Sequence, residues 1–218
     1  MTEHPILFST PMVQAILAGN KTQTRRILKG DALEYLDQGF SIPYIETPEY
    51  KFCPYGKPGD ILWVRETWAA SNLLTSGGSD FSHYVFKADE DPLHNYFKWK
   101  PSIHMPKAAA RIWLQIEAIT VQRLLDIGDV DARAEGIKYD EQAGYDCYLC
   151  NTIKHNIANL CEDGFYRFPV DSFLSLWESI NGQLGGNPWV WAIKFKVLST
   201  TGKPQTLPTA TRLLPTTL

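Results

Sequence analysis

Residues 19–26 read Gly19-Asn20-Lys21-Thr22-Gln23-Thr24-Arg25-Arg26, and they mark the point where a predicted helix gives way to a predicted strand. Upstream, Thr10 and Pro11 suit the first turn of a helix, and the apolar residues that follow repeat at helical spacing. Gly19 ends that helix, because glycine takes a left-handed backbone without penalty. The segment 22–28 contains several β-branched residues and predicts a strand.

This stretch combines three cations with two threonine hydroxyls. A lysine close to a threonine hydroxyl can polarise it when burial or neighbouring cations lower the pKa of the lysine. Arg25 or Arg26 supplies such a cation, and either can also hold an anion or a base edge. Strict strand alternation places Lys21 and Thr24 on opposite faces, so their convergence requires an irregular turn at residues 20–22. The alternative interpretation is a solvated basic strand end with no chemical role.

The same residues resemble the G-x-K-T-x-T-x-R signature of the ASCH domain family. Three further blocks are similar to those of phage and prophage ASCH-domain proteins: Pro54-Tyr55-Gly56-Lys57-Pro58-Gly59-Asp60, Trp63-Val64-Arg65-Glu66-Thr67-Trp68 and Ser102-Ile103-His104-Met105-Pro106. The resemblance implies a PUA-like small β-barrel and a link to RNA and modified nucleosides. One branch of the family hydrolyses N(4)-acetylcytidine with a lysine, a threonine and a glutamate, without a cofactor. Lys21 and Thr24 occupy the first two of these positions, and Arg26 occupies the arginine of the motif.

The resemblance assigns the glutamate position to Glu135, near the end of a short helix predicted over residues 130–135. Without the resemblance, Glu135 is interpreted as an exposed carboxylate at a helix end. Glu66 is the substitute for the catalytic position if Glu135 does not fill it.

Further binding residues are predicted around a strand at residues 60–68. Arg65 and Glu66 are charged residues within an otherwise apolar segment, which indicates either pocket lining or a structural ion pair. Trp68 offers a ring that can stack on a base. His104, in a proline-marked segment, completes the predicted binding set with Arg25 and Arg26.

Composition restricts the class of partner. The chain has 218 residues and a net charge of −3, so it is not a general basic coat for nucleic acid. Nucleic-acid contact would come from a local patch such as Lys21, Arg25, Arg26 and Lys29. No apolar run approaches the roughly 20 residues that span a bilayer, and the N-terminus lacks signal-peptide features. We therefore expect a cytoplasmic protein that binds a nucleoside, a nucleotide or single-stranded RNA and no membrane.

The domain organisation predicted from these patterns is a single α+β domain over residues 1–198, a small β-barrel with flanking helices. Three inserts are expected, at about 30–52, 69–101 and 137–168. The first is interpreted as a surface insert. A helix over 170–180 has a broad apolar face typical of core, and a strand over 189–197 alternates cleanly and is expected to close the barrel. Residues 199–218 predict a disordered tail.

The third insert contains a candidate zinc site. Cys147 and Cys150 form a C-x-x-C pair, and His155 or Cys161 can complete a tetrahedral shell, with Cys53 as a further ligand if the fold brings it near. The alternative is unligated thiols, because a second C-x-x-C pair is missing.

Two functions fit the sequence. The first is an amidohydrolase acting on a modified nucleoside such as N(4)-acetylcytidine, with Thr24 as nucleophile, Lys21 as base, and Glu135 as the group that orients Lys21 or protonates the leaving amine. The second is a non-catalytic RNA- or nucleic-acid-binding module that holds a base without changing it. A lysine buried beside the Thr24 hydroxyl favours the enzyme, because a binding module needs no nucleophile.

Overall fold

The computed structural model describes residues 1–71, 83–89, 96–141, 144–146, 165–182 and 186–205, and these residues form a mixed α+β fold. The strands are β1 (Glu3–Leu7), β2 (Gln23–Ile27), β3 (Ile61–Arg65), β4 (Trp68–Ser71), β5 (His83–Phe86), β6 (Trp113–Arg123), β7 (Tyr139–Asp140), β8 (Gly144–Asp146), β9 (Phe165–Tyr166) and β10 (Trp189–Ser199). The helices in this part of the chain are α1 (Thr10–Leu17), α2 (Asp31–Asp37), α3 (Ile42–Glu46), α4 (Asp129–Ala134) and α5 (Pro169–Asn181).

Five strands form the main sheet in the order β1-β3-β6-β10-β2. β1 and β3 are parallel, and the other neighbours are antiparallel. Within the described residues β1 and β2 end this row without pairing to each other, so the sheet is open. The mixed α+β class is confirmed, whereas closure into a barrel is not.

The main sheet is buried on both faces. Alternate residues of β10 face different clusters, because side chains along a strand point to opposite sides. Trp191 belongs to a core formed with α1, α2 and α3, whereas its neighbour Val190 packs with α4 and α5. β2 lies beside β10 at one end of the sheet, which places the 19–26 segment between these two clusters.

The prediction of one continuous strand over residues 60–68 is wrong. β3 ends at Arg65, and β4 begins at Trp68 in a separate two-stranded sheet with β5. The backbone N–H of Glu66 lies 3.2 Å from the Met105 sulfur instead of joining the ladder of the main sheet. The backbone N–H of Trp68 donates to the carbonyl of Lys100 at 3.2 Å, so at Trp68 the chain no longer pairs with the main sheet.

The first predicted insert lies largely at the surface but also contributes to the core. Residues 30–52 form α2, α3 and a 3-10 turn, and Ala32 and Ile45 are buried in the same core as α1. Glu46 also ties this segment to the sheet, since its carboxylate accepts the backbone N–H of Val121 at 2.6 Å. The insert therefore contributes to the hydrophobic core.

The second and third inserts carry their own small sheets. The described part of residues 69–101 contains most of the β4–β5 hairpin, and that of 137–168 contains β7, β8 and β9 in one antiparallel sheet. Beyond β10, the N–H of Gly202 donates to the Arg111 carbonyl at 2.9 Å, and Lys203 pairs with Glu3 at 2.8 Å. The predicted tail is thus attached to the fold at its start, and residues 206–218 lie outside the described ranges.

In the part of the chain that the structure describes, no helix is both long enough and apolar enough to cross a membrane.

Candidate functional site

The turn after α1 directs Lys21 into the protein. Gly19 has φ of 77°, and the backbone N–H groups of Asn20 and Lys21 both donate to the Ala15 carbonyl, at 2.9 and 3.1 Å. The chain therefore folds back against the helix before β2 starts at Gln23. The chain thus has an irregular turn at residues 20–22, and Lys21 lies outside the regular strand.

Lys21 is paired with Glu135 through both backbone and side chain. The two residues form an isolated antiparallel bridge. The ammonium Nζ donates to the Glu135 backbone carbonyl at 2.6 Å and to its carboxylate Oε2 at 2.9 Å. The Lys21 side chain is 0% exposed and that of Glu135 is 3% exposed. The structure thus brings together two residues that lie 114 positions apart.

Gly136 permits this close approach. Its φ is 82°, and a Cβ at this position would lie 2.7 Å from the Cβ atoms of both Ala15 and Lys21. Because a glycine follows α4, the Glu135 segment can lie directly against α1 and the Lys21 backbone.

Arg25 binds carboxylates and does not project into solvent. Its Nη1 donates to Glu135 Oε1 at 3.0 Å, and its Nη2 donates to Asp131 Oδ2 at 2.8 Å. With their side-chain amides oriented so that oxygen faces the guanidinium, Gln23 and Gln122 accept further hydrogen bonds of 2.5 to 3.2 Å. The arrangement uses Arg25 to hold Glu135 in place, instead of the phosphate or base contact expected from the sequence.

Burial lowers the pKa of Lys21 below the ordinary lysine value. The charge of Glu135 and its hydrogen bond oppose this change, whereas the positive charges of Arg26 and Arg25 add to it. The environment therefore favours the neutral amine more than water does.

A pocket of about 300 Å³ lies beside this cluster. Its polar wall includes Thr24, Arg26 and Glu135, and its aromatic wall includes Phe173, Trp177 and Trp191. Thr24 is 1% exposed and pairs with Ile193 of β10. Glu135 thus both binds Lys21 and lines the pocket.

The hydrogen bonds of the Lys21 ammonium go to Glu135, not to Thr24. Of the three predicted catalytic residues, Lys21 and Glu135 are in contact, and Thr24 lines the same pocket as Glu135.

Arg26 lines the pocket from the opposite side of the strand to Arg25. Its Nη2 donates to the Leu7 carbonyl at 2.7 Å, and its guanidinium lies 5.1 Å from the centre of the Phe8 ring. Burial lowers the pKa of Arg26, which the charges of Tyr55 and Glu135 oppose. Among the described residues, Arg26 forms no ion pair with a carboxylate.

The other four predicted binding residues lie elsewhere, and none belongs to the described lining of the pocket. Glu66 is 1% exposed and accepts two hydrogen bonds from Arg111, at 2.9 and 3.0 Å, which makes it part of an ion pair. Arg65 donates to the Ile103 carbonyl, and Trp68 is buried against Met105 and Trp113. His104 is an exposed residue of the 3-10 turn Ser102–His104.

The zinc prediction falls largely outside the described residues. Cys147, Cys150, His155 and Cys161 all belong to residues 147–164, which are not among them. Cys53 is a free cysteine that packs against the main core, and burial raises the pKa of its thiol to about 11. Among the described ranges, no group of three or more potential ligands could hold a metal ion.

Sequence reasoning missed several residues of the site. Asp131 lies four residues before Glu135 on one helix face, and this spacing was the available signal for a second carboxylate. Phe173 and Trp177 share the same spacing on α5 and were interpreted as core only, although they also line the pocket. The amides of Gln23 and Gln122 gave no signal, because they meet Arg25 only through pairing of β2, β10 and β6.

Comparison with known proteins adds no assignment to this geometry. No family model, no curated protein and no solved structure matches the chain. The resemblance to the ASCH domain family therefore stays a prediction, carried by residues 19–26 and the three blocks that follow.

Proposed function

We propose that the chain is an amidohydrolase that acts on an acylated nucleoside or nucleotide, such as N(4)-acetylcytidine, within a PUA-like fold. Thr24 is the nucleophile, Lys21 is the base and Glu135 orients the lysine. The observation that carries the proposal is a buried lysine with a lowered pKa, fixed by a carboxylate at the wall of a pocket that Thr24 also lines. Perturbed, buried titratable groups beside a pocket are a recognised mark of catalytic sites.

The two hydrogen bonds to Glu135 suit a base. An ammonium has three N–H donors, and Glu135 accepts from two of them. A neutral amine can keep both bonds, and its lone pair then points in the one remaining direction. Lys21 can therefore accept a proton without losing the contacts that hold it.

The proposed reaction has three steps. The Thr24 oxygen attacks the acyl carbon while its proton passes to the Lys21 amine. When the tetrahedral adduct collapses, the C–N bond breaks and the leaving exocyclic amine takes that proton from Lys21. Water then attacks the threonyl ester, so the acid is released and the hydroxyl is restored. Arg25 contributes indirectly, as a positioning residue that holds the second oxygen of Glu135.

The pocket offers contacts for the rest of such a substrate. Phe173, Trp177 and Trp191 are mostly buried but contribute to the pocket wall, and a base can pack against the part of their rings that faces the pocket. A volume of about 300 Å³ is at the lower end of small-molecule sites. It suits one nucleoside better than a folded nucleic acid.

A binding module without catalysis is the second candidate. It is favoured by one observation, namely that Lys21 is hydrogen-bonded to Glu135 and not to the Thr24 hydroxyl. In this case Lys21 and Glu135 form a structural pair, and Thr24 contacts the bound base.

Release of acetate from N(4)-acetylcytidine tests the two candidates. The native protein is compared with Thr24→Ala and Lys21→Met, and Thr22→Ala serves as the matched control because that threonine is exposed two residues away. We expect both site variants to lose release by at least about a hundredfold, and the control to keep it. Nucleoside binding without release by the native protein would select the binding module.

A further inference from the structure

The charged groups of the site form two sets. The first contains positive groups paired with carboxylates, and the second contains only positive groups. Lys21, Arg25, Glu135 and Asp131 are joined by hydrogen bonds of 2.8 to 3.0 Å between side chains. With Lys21 protonated, the two positive and two negative groups cancel. With the neutral amine that the proposed mechanism uses, the set has a net charge of −1, which the two further cations of the pocket exceed. The carboxylate of Glu135 is engaged at both oxygens and repels an incoming anion less than a free carboxylate would.

The second set is Arg26 and Lys29, which line the same pocket. Across the described residues, neither is paired with a carboxylate. Arg26 has a neutral partner, the Leu7 carbonyl at 2.7 Å. Arg26 is partly buried and Lys29 is exposed, so only part of the charge of Arg26 is withdrawn from water without a counter-ion, and a bound anion reduces that cost.

The shape of Arg26 suits an oxyanion. A guanidinium carries five N–H donors in a planar fork, and one of them is given to Leu7. The Phe8 ring, 5.1 Å from the guanidinium carbon, restricts its orientation. The remaining donors can bind two oxygens of one phosphate, and the exposed ammonium of Lys29 adds a second charge.

We propose that Arg26 and Lys29 form a phosphate subsite, so that the pocket binds a phosphorylated nucleoside in preference to a free nucleoside. The inference rests on the proposed function, because it concerns the substrate of the same pocket. It narrows that function from nucleosides in general to those with a phosphomonoester.

Calorimetry on the full native chain tests the subsite without requiring turnover. Each of the four nucleoside 5′-monophosphates is compared with its own nucleoside at low salt. We expect at least one monophosphate to bind about tenfold or more tightly than its nucleoside, and the difference to shrink with added salt. If no monophosphate binds more tightly than its nucleoside, the proposal is overturned.

Variants test whether Arg26 and Lys29 form the phosphate subsite. Arg26→Gln and Lys29→Gln should each remove most or all of the advantage of the monophosphate, so that the nucleotide and the nucleoside bind with similar affinities. Arg123→Gln is a matched control, because that guanidinium also donates to one carbonyl, at 2.9 Å, and lies 4.0 Å from an aromatic ring, yet is outside the pocket lining. A variant that weakens nucleotide and nucleoside equally has lost pocket shape, and this result in both site variants would contradict the subsite.

A phosphomonoester can belong to a free mononucleotide or to the end of a strand. A 5′-phosphorylated dinucleotide separates these sources, with the same dinucleotide lacking the phosphate as reference. Tight binding of the phosphorylated dinucleotide supports a strand end, and tight binding of the mononucleotide alone supports a free nucleotide. Equal binding of both dinucleotides, with no advantage for any mononucleotide, argues against a phosphate subsite.

Different results would refute the phosphate subsite and the proposed hydrolysis. A monophosphate advantage that depends on Arg26, without release of acetate, leaves the subsite standing and removes the hydrolase. Equal kcat/KM for N(4)-acetylcytidine and its 5′-monophosphate, with equal affinities, leaves the hydrolase standing and removes the subsite.

Discussion

Glu135 holds Lys21 at two points, through its backbone carbonyl at 2.6 Å and its carboxylate at 2.9 Å. A single carboxylate contact would leave the amine free to rotate about its last carbon. The second contact fixes that rotation, and it comes from the backbone, so it persists whatever the charge of the Glu135 side chain. The direction in which Lys21 can accept a proton is therefore set by the fold.

Activity should rise with pH and level off below the ordinary lysine pKa. The active form of Lys21 is the neutral amine, and burial lowers its pKa. We expect log kcat/KM for acetate release to increase by about one per pH unit on the acid side. A profile that is still rising at about pH 10.4, the ordinary lysine value, would contradict the base role of Lys21.

The free energy of unfolding should also depend on pH through Lys21, and the lowered pKa of Lys21 fixes the direction of this dependence. Between the lowered folded pKa of Lys21 and its higher unfolded value, the unfolded chain binds more protons than the folded one. The free energy of unfolding should therefore increase with pH across this window. The increase should be absent from Lys21→Met, so the difference between the two proteins in urea titrations should change with pH. A constant difference would mean that the pKa of Lys21 is not lowered.

Replacing Arg25 should change the titration of Lys21 as well as the rate. Arg25→Met removes a positive charge that lowers the Lys21 pKa, so the acid limb of the pH profile should move to higher pH. It also frees one oxygen of Glu135, and we expect kcat to fall by about a hundredfold with KM little changed. Arg25→Lys keeps the charge and should shift the limb less. Loss of rate without any movement of the limb would indicate a structural role alone.

Gly136→Ala should disturb both stability and the site. The left-handed backbone costs an alanine about 1–2 kcal/mol, and the added Cβ would meet Ala15 and Lys21 at 2.7 Å. We expect a total loss of more than about 2 kcal/mol in the free energy of unfolding, with a shifted Lys21. Gly39→Ala is the control, because it also follows a short helix with positive φ but has open space around it. Similar losses in both variants would show that the contact with Lys21 is unimportant.

Loss of the Glu66 carboxylate should destabilise the fold. Glu66 is 1% exposed, and Arg111 also donates to Asp89. Because Arg111 keeps Asp89 as a counter-charge, Glu66→Gln should cost about 1.5–3 kcal/mol, less than the loss of a sole partner would. The exposed pair of Lys203 and Glu3 is the comparison, and Lys203→Ala should cost about 0–1 kcal/mol. Chemical denaturation measures both costs, and Glu66→Gln, Arg111→Met and their double variant together give the coupling energy of the Glu66–Arg111 pair.

The elements that depend on local pattern were predictable from the sequence. The helical spacing before Gly19 and the alternation after Trp189 correspond to α1 and β10. The break between β3 and β4 was not predictable. It depends on Met105 and Arg111, which meet Glu66 across about 40 residues of chain, and no local pattern reports such contacts.

The candidate site was likewise predictable only in part from the sequence. The proximity of Lys21 to Glu135 was expected from a resemblance, because the spacing of residues so far apart carries no information about their distance. The role of Arg25 was missed for a physical reason. From sequence an arginine on a strand end is expected to face water, and only the fold supplies Asp131 and Glu135 as its partners.

The bond between Lys21 and Glu135 closes a loop of 114 residues, and the first two inserts lie inside it. The entropy of closing a flexible loop grows only with the logarithm of its length, so doubling the loop costs about 0.6 kcal/mol. A flexible connection within the loop can thus lengthen or shorten with little effect on the free energy of bringing the two residues together. The first insert is different, because Ala32 and Ile45 belong to the core, so a change in its length would also change the packing beneath the site.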